Sequence, residues 1–565
     1  MSENPILVIQ FPEMKFYLPT LFICFFIFSS CHQHPAADRI YFDSKIWTGD
    51  STNPEAGAIA VKDSLILYVG NDYQEYADSH TTLVDLHGKM LVPGFIDNHV
   101  HFLDGGYYLA NIDLREVKSK AEFVSVFRHY TDSAKGNSWI RGGNWDHEAW
   151  GGELPRSAWI DSISGEHPVF ISRYDGHMGL ANSIALKMAG ITKNTSNPPG
   201  GEIVKDPKTG EPTGILRDEA TNLVYKIVTN QTEKELDESL NRAASHALSH
   251  GFTQVHDMGT YGGWIDMATY RRAEASGKLP IRIYSFVAIS TWAKLDSFIK
   301  INGRGNDLLR WGGLKGFVDG SLGSTTAWFY KPYLDAPRST GLQVTDTILL
   351  RKWVLAADSA GLQVACHAIG DRANDWILNV YEEAEKLRPD IDHRFRVEHA
   401  QHLTQDAIER FARLKVVPSM QPFHAIDDGK WAAKRLDSAR LKRTYVFKSL
   451  LESNANVTFG SDWPVAPLDP IAGIYAAVTR RTLDDKNPGG WFPEQKISVE
   501  QALRCYTINN AWAGFQEKKT GKLKTGMLAD FTVLSDDLFS IAPENIRNTK
   551  VLLTVVNGRE SYSVH

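Results

Sequence analysis

Residues 91–101, LVPGFIDNHVH, decide the fold of this chain. Their apolar side chains predict a short buried strand, and His99 and His101 stand at its end. Side chains two positions apart on a strand point to the same side, so both imidazoles can bind one metal ion. The pair does not establish a metal site by itself, because a second His-x-His pair, His32 and His34, occurs upstream. Further ligands must therefore come from other strand ends.

The middle of the chain alternates apolar strands with amphipathic helical patterns, which is typical of βα units. After the first strand, seven more strands are predicted at 253–257, 281–287, 314–319, 363–367, 395–399, 416–420 and 457–462. Eight such strands predict an α/β fold, a (β/α)8 TIM barrel, with the active site at the C-terminal ends of the strands.

The domain boundaries follow from this reading. The barrel domain is predicted at 91–514, with an inserted subdomain at about 105–250, because that gap is too long for one crossover and contains strands of its own. Short strands at both ends of the chain, in 39–90 and 515–565, predict a small β-sandwich built from the two termini.

The N-terminal leader predicts export and a lipid anchor. Lys15 precedes the apolar run FYLPTLFICFFIF, and the segment FSSC ending at Cys31 resembles a bacterial lipoprotein cleavage box. Residues 1–31 are therefore predicted as a signal peptide, with the lipid on Cys31, and 32–38 as a tether. The folded part would face an extracytoplasmic space, the periplasm, from the membrane. An uncleaved N-terminal anchor is the alternative.

The composition and charge of the chain bear on whether it binds nucleic acid. The formal net charge is −6 and the sequence pI is about 6.4. These values give no reason to expect nucleic acid as a partner.

Metal-type ligands recur at the predicted strand ends. Lys315 lies in the fourth strand, His367 ends the fifth, His399 the sixth and Asp462 the eighth. A lysine inside an apolar strand is costly unless it is neutralised or paired. Carboxylated by carbon dioxide, Lys315 would become an anionic bridge between two metal ions. Each residue alone could be a hydrogen-bonded core residue, but their shared position predicts a metal centre.

Several motifs resemble those of the amidohydrolase superfamily, specifically the amidohydrolase-3, YtcJ-like group that includes N-substituted formamide deformylases. The resemblance covers essentially all of 39–560. It rests on VPGFIDNHVH, the DGH at 175–177, KGFVDGSLGS, HAIGD, EHAQ, SDWPV and the closing GKLKTGMLAD.

The resemblance implies a cofactor of two divalent metal ions, with zinc expected, although manganese, iron or cobalt suit the same ligands. The implied ligands of the first metal are His99, His101, Asp462 and carboxylated Lys315, and those of the second are Lys315, His367 and His399.

The resemblance also implies a mechanism. A bridging water becomes hydroxide near neutrality, and Asp462 accepts its proton and passes it to the leaving nitrogen. His177 is implied to face the substrate and to stabilise the oxyanion. Gln421 and His424 follow the seventh strand, which predicts that they line the substrate pocket.

The expected function is metal-dependent hydrolysis of a carbon–nitrogen bond other than a peptide bond, in a small-molecule amide such as an N-formyl or N-acyl amine. One alternative is a mononuclear deaminase, which Lys315 and the lack of an acid at Ala368 or Ile369 oppose. Another is a catalytically silent, lipid-tethered binding protein. The oligomeric state is left open, with a homodimer among the alternatives.

Overall fold

The computed structural model of the chain describes residues 35–133, 139–174, 176–199, 201–228, 231–259 and 263–564. The predicted signal peptide, the predicted lipidation site Cys31 and part of the tether lie outside these residues, as does Asp175 of the DGH motif. Across the described residues, no helix combines the length and the apolar character needed to cross a bilayer.

Eight parallel strands pair in chain order to form the central sheet. These barrel strands 1 to 8 are Phe95–Val100, Phe252–Asp257, Arg282–Ala288, Leu309–Phe317, Gln363–Ala368, Arg396–His399, Val417–Met420 and Thr458–Phe459. Residues just beyond strand 8 return to strand 1 through backbone hydrogen bonds, from Asp462 N to His99 O (2.7 Å) and from His101 N to Trp463 O (2.8 Å). The predicted (β/α)8 barrel is confirmed.

The opening stretch 91–101 holds parts of two strands rather than one. Strand Thr82–Pro93 belongs to another sheet, and barrel strand 1 begins only at Phe95. Gly94 separates them, at a point where an added Cβ would lie 2.2 Å from the side chain of Thr253. The close approach of barrel strand 2 therefore requires a glycine at this boundary.

Helices cover the outside of the barrel. Those of seven residues or more outside the insert are Phe102–Tyr108, Glu233–Ser249, Trp264–Ala275, Trp292–Asn302, Thr347–Ser359, Asp371–Leu387, Gln405–Arg413, Pro422–Asp428, Pro470–Thr479 and Val499–Tyr506. Ser498 caps the last of these in a capping box with Gln501, because each side chain accepts a hydrogen bond from the other residue's backbone N–H. This helix ends before Thr507, which is not helical, and a second helix, Ile508–Ala513, follows.

A six-stranded sheet lies between barrel strands 1 and 2. Its strands, in spatial order, are Gly201–Lys205, Pro212–Asp218, Met178–Ala181, Phe170–Arg173, Gly142–Trp145 and Ile112–Asp113. The helices Lys120–Ser133, Ser157–Ile160, Ser183–Met188 and Asn222–Tyr225 accompany it. The sheet spans 112–218, and helix Glu233–Ser249 packs against helix Phe102–Tyr108 and barrel strand 2. The strands of this sheet lie within the predicted insert of about 105–250.

Strands from both chain ends combine in one further sheet. Its order is Arg559–Ser563, Val551–Val556, Phe531–Leu534, Thr82–Pro93, Arg39–Trp47, Ala58–Lys62 and Leu65–Gly70, with Glu55–Ala56 beside Arg39–Trp47. Strands from the two chain termini therefore pair with each other in one sheet. Because this sheet is continuous, the predicted two-sheet β-sandwich is not confirmed. The buried ion pair of Arg282 and Asp530, with Nη2 and Oδ1 2.9 Å apart, joins this sheet to the barrel.

Candidate active site

Three predicted ligands meet at the C-terminal end of the barrel. Oδ1 of Asp462 lies 3.3 Å from Nε2 of His99 and 3.5 Å from Nε2 of His101. One ligand atom from each residue lies within 4.8 Å of the other two. Lys315 reaches the same point from barrel strand 4, with Nζ 3.5 Å from Nε2 of His99. Barrel strands 1 and 4 and the loop after strand 8 therefore present these side chains to one point.

A second group with metal-ligand geometry shares Asp462. It consists of Asp462, His399 and His424, whose ligand atoms also lie within 4.8 Å of one another. His424 was predicted to contact substrate, yet its Nε2 is buried and has no hydrogen-bond partner in the described part of the chain. His367 packs against His399 with ring centroids 4.5 Å apart, but joins neither group among the described residues.

The histidine rings are oriented as metal ligands require. Nδ1 of His99 lies 2.6 Å from a Glu398 oxygen, Nδ1 of His101 lies 2.9 Å from the Gly259 carbonyl, and Nδ1 of His399 lies 2.9 Å from Oε1 of Gln421. Each partner is an acceptor, so each Nδ1 carries the proton and each Nε2 keeps a lone pair.

Burial also keeps two of these rings neutral. It lowers the pKa of His99 to about 4, with a further contribution from the charge of Lys315. It likewise lowers the pKa of His399 well below its usual value. Neutral imidazoles beside a carboxylate are the donor set of a divalent metal such as zinc, so the residues present fit the implied cofactor.

Lys315 is enclosed in the barrel. Its burial lowers the pKa of the amine to about 8, although the carboxylates of Glu398 and Asp462 act in the opposite direction. A neutral amine, which reacts with carbon dioxide, is therefore accessible near neutral pH. This environment is compatible with the predicted carboxylation, which stays a prediction.

Sequence reasoning missed Glu398. Its carboxylate is fully buried and accepts hydrogen bonds from Arg396 Nε at 2.7 Å, Ser419 Oγ at 2.6 Å and His99 Nδ1 at 2.6 Å. Arg396 and Glu398 stand two apart in FRVEH, so both point into the barrel, and that spacing was the available signal. The role of Glu398 is to fix the ring and the tautomer of His99.

Replacing Glu398 with glutamine should weaken metal binding about 10- to 100-fold, the usual cost of losing a partner that orients a ligand. Glutamine presents an oxygen at only one of the two carboxylate positions, so its NH2 group would face a donor, either Arg396 Nε or His99 Nδ1. Zinc affinity measured by competition with a chelator checks this. Glu383→Gln is the control, since Glu383 pairs with Arg351 at the surface. Equal affinity in the Glu398→Gln and wild-type proteins would contradict the assigned role.

The residues that connect barrel strand 8 back to barrel strand 1 position two ligands, His99 and Asp462. The Asp97 carboxylate accepts hydrogen bonds from the backbone N–H groups of His99 (2.9 Å) and Ser461 (3.0 Å). A Cβ on Gly460 would lie 2.6 Å from His99 N, so only glycine fits. Asp462 follows with a φ of 61° and His399 has a φ of 74°, conformations that cost about 1–2 kcal/mol each in a non-glycine residue. Such strain is typical of functional sites.

A cavity of about 210 Å³ lies over these ligands. Its lining includes His101, His177, Lys315, His367, His399, His424 and Asp462. The predicted substrate-facing His177 thus reaches the cavity from the insert, with Nδ1 3.0 Å from Oδ1 of Asp218. Gln421 is fully buried and is absent from this lining. Its position fits the orientation of His399 better than the predicted contact with substrate.

Three known proteins are similar to this chain over nearly its whole length. The protein LONG AFTER FAR-RED 3 of Arabidopsis thaliana is 43% identical over 93% of this chain and 92% of its own length. The putative amidohydrolase YtcJ of Bacillus subtilis is 34% identical over 91% and 96%, respectively. The N-substituted formamide deformylase of Arthrobacter pascens is 28% identical over 92% and 97%.

A solved structure and a family model agree with these relatives. The crystal structure of an uncharacterised metal-dependent hydrolase from Pyrococcus horikoshii superposes with a TM-score of 0.74 at 29% identity, covering 90% of this chain and 99% of that one. Residues 82–562 match the model of the amidohydrolase family. The chain therefore belongs to the amidohydrolase family and is a metal-dependent hydrolase.

Proposed function

We propose that this protein hydrolyses a carbon–nitrogen bond in small amides, with N-formyl and N-acyl amines as the substrate class. One observation carries the proposal. The ligand atoms of His99, His101 and Asp462 lie close together beside Lys315, at the base of one cavity. The similarity to the N-substituted formamide deformylase supports an amide as the bond that is cleaved.

The proposed cofactor is a pair of divalent metal ions, zinc in the first instance. The residues that would hold one ion are His99, His101, Asp462 and carboxylated Lys315, and those that would hold the other are Lys315, His367 and His399. When bound, such ions supply the Lewis acidity that brings the pKa of water close to 7. The placement of His424 with His399 and Asp462 makes it a further candidate ligand.

Three residues of the chain carry the proton and charge movements in this proposal. Asp462 accepts a proton from the attacking water and delivers it to the leaving nitrogen. As an imidazolium, whose two ring nitrogens both donate, His177 gives a hydrogen bond from Nε2 to the oxyanion that develops on the former carbonyl oxygen. Asp218 holds the His177 ring by its contact with Nδ1. Asp462 is buried, which strengthens its charge interactions, whereas the contact of His177 with Asp218 lies at the exposed rim.

Elemental analysis and a substrate screen test the proposal together. Protein loaded with zinc and then desalted should retain two metal ions per chain and should release amines from a panel of N-formyl and N-acyl amines. Retention of one ion or none would overturn the two-metal part. Two ions without hydrolysis of any amide would overturn the assignment of the bond, and would favour a silent binding protein.

We also propose that the chain is held at a membrane by a lipid on Cys31 and faces an extracytoplasmic space. The support is the order of sequence features, namely Lys15, an apolar run, two serines and Cys31, followed by a polar tether. Two acyl chains on one cysteine suffice for stable anchoring where a single chain is marginal. Mass spectrometry of membrane-extracted protein should find an acylated N-terminal Cys31. An intact N-terminus without acyl mass would contradict this.

A further inference from the structure

A second cavity adjoins the metal-ligand group, and we call it the Asp104 cavity. It has a volume of about 270 Å³ and shares His101, Tyr174, Lys315, Phe317 and Val465 with the cavity described above. Asp104 and Tyr108 line the part that is not shared. A substrate that spans both cavities would place its reacting bond at the shared wall and one of its ends beside Asp104.

The carboxylate of Asp104 has no hydrogen-bond or ion-pair partner in the described part of the chain. It lies one helical turn after His101, on helix Phe102–Tyr108, and makes no hydrogen bond or ion pair with any described residue. Burial raises its pKa above the usual value, although the charges of His101 and Arg141 act in the opposite direction. A cation in the cavity would supply the missing compensation.

The arginines near the cavity are engaged elsewhere. Arg173 also lines it, but Nη2 of Arg173 donates to Oδ1 of Asp146 at 2.9 Å, and its Nε lies 3.3 Å from Nδ1 of His147. Arg141 stacks on the ring of Tyr107, with 4.6 Å between the guanidinium carbon and the ring centroid. Arg141 forms no ion pair among the described residues and does not line the cavity, although its charge acts on Asp104. Among the described residues that line the cavity, Asp104 is the one carboxylate, and it has no ion-pair partner there.

The other walls suit an organic cation. Tyr108 lines the unshared part of the cavity with Asp104, and Tyr174 and Phe317 line the wall that both cavities share. Aromatic faces combined with a carboxylate attract ammonium groups through the ring quadrupole and through direct charge pairing. We propose that the Asp104 cavity binds an ammonium group on the amine side of the amide, so that the preferred substrates are N-acylated diamines or similar cationic amides. This inference rests on the proposed amide hydrolysis.

Two formamides of equal length test the proposal, N-formyl-1,4-diaminobutane and the neutral N-formylpentylamine. The zinc-loaded wild-type protein should prefer the cationic compound about 10- to 100-fold in kcat/KM, the range of a hydrogen bond to a charged group. Asp104→Asn should remove that preference through a higher KM for the cation, with the neutral compound unchanged. Asp113→Asn, at an exposed acid of the same segment, should keep the preference.

A binding measurement separates this inference from the proposed function. Tetramethylammonium cannot ligate a metal, so calorimetry reports on the cavity alone. Binding to wild type and its loss in Asp104→Asn would support the cavity assignment even if neither formamide were hydrolysed. In that case the failure to hydrolyse either formamide would count against the proposed amide hydrolysis, but not against the cavity assignment. Equal use of both formamides by wild type would overturn the inference. So would an Asp104→Asn variant that loses metal or slows on both compounds alike, because Asp104 would then act through His101.

Discussion

Asp462→Asn should lower the turnover number by about 10²- to 10⁴-fold, the range seen when general acid–base catalysis is lost. Asparagine keeps the shape and one ligand oxygen of the side chain, but its amide cannot accept a proton at neutral pH. Burial opposes the charged form of Asp462, yet its contacts with His99 and His101 hold its pKa well below the usual range. Asp462 is therefore ionised at neutral pH, and the substitution removes this proton-accepting carboxylate.

The measurements are turnover of a formamide substrate and metal content by elemental analysis. Metal content should stay near that of wild type, since one oxygen ligand remains. Asp485→Asn is a matched control, because Asp485 also adopts a positive φ, 56°, but is exposed on the surface. Turnover close to wild type in Asp462→Asn would move the proton-transfer role to another residue of the cavity, with His177 and His424 the first candidates.

Replacing Lys315 should cost the enzyme most of its activity and one of its two metal ions. The carboxylated amine is the only proposed ligand that both metals share, so its loss removes the bridge. Lys315→Ala leaves a space that short carboxylic acids such as acetate can enter, and added acetate should restore part of the activity. Lys315→Met fills that space and should show no rescue. Lys300→Ala, at a lysine exposed on a helix, is the control.

A spectroscopic readout separates the bridge from a merely structural lysine. Wild-type protein equilibrated with ¹³C-bicarbonate should show a carbamate carbon by NMR, and the Lys315→Met protein should not. A fully active Lys315→Ala variant with two metal ions would contradict the bridging role. It would leave Lys315 as a buried amine that packs at 5.0 Å from the Phe317 ring.

Much of the barrel follows from local sequence. Apolar runs such as FRVEH and QVACH mark strands buried on both faces, and the predicted ranges 395–399 and 363–367 agree with the observed strands to within one residue. The ligand positions follow as well, since a polar residue that ends an apolar strand lies at the mouth of the barrel.

Other features depended on which segments meet in space. Gly94 divides the 91–101 stretch because Thr253 of barrel strand 2 approaches it. Val92 and Pro93 then pair with Thr532 and Phe531, more than 400 residues away, and no local pattern identifies such partners. The same limit applies to the strands at the two chain termini. Their local sequence does not distinguish one continuous sheet from a two-sheet β-sandwich.

The sequence by itself therefore determined the barrel, the residues that end its strands and the membership of the family. The tertiary structure decided how those residues are held and what surrounds them. Glu398 orients His99 from barrel strand 6, His424 joins His399 and Asp462, and Asp104, which has no ion-pair partner among the described residues, lines an adjoining cavity. The physical reason is that strand periodicity is local, whereas ring orientation, burial and charge compensation arise from contacts between segments hundreds of residues apart.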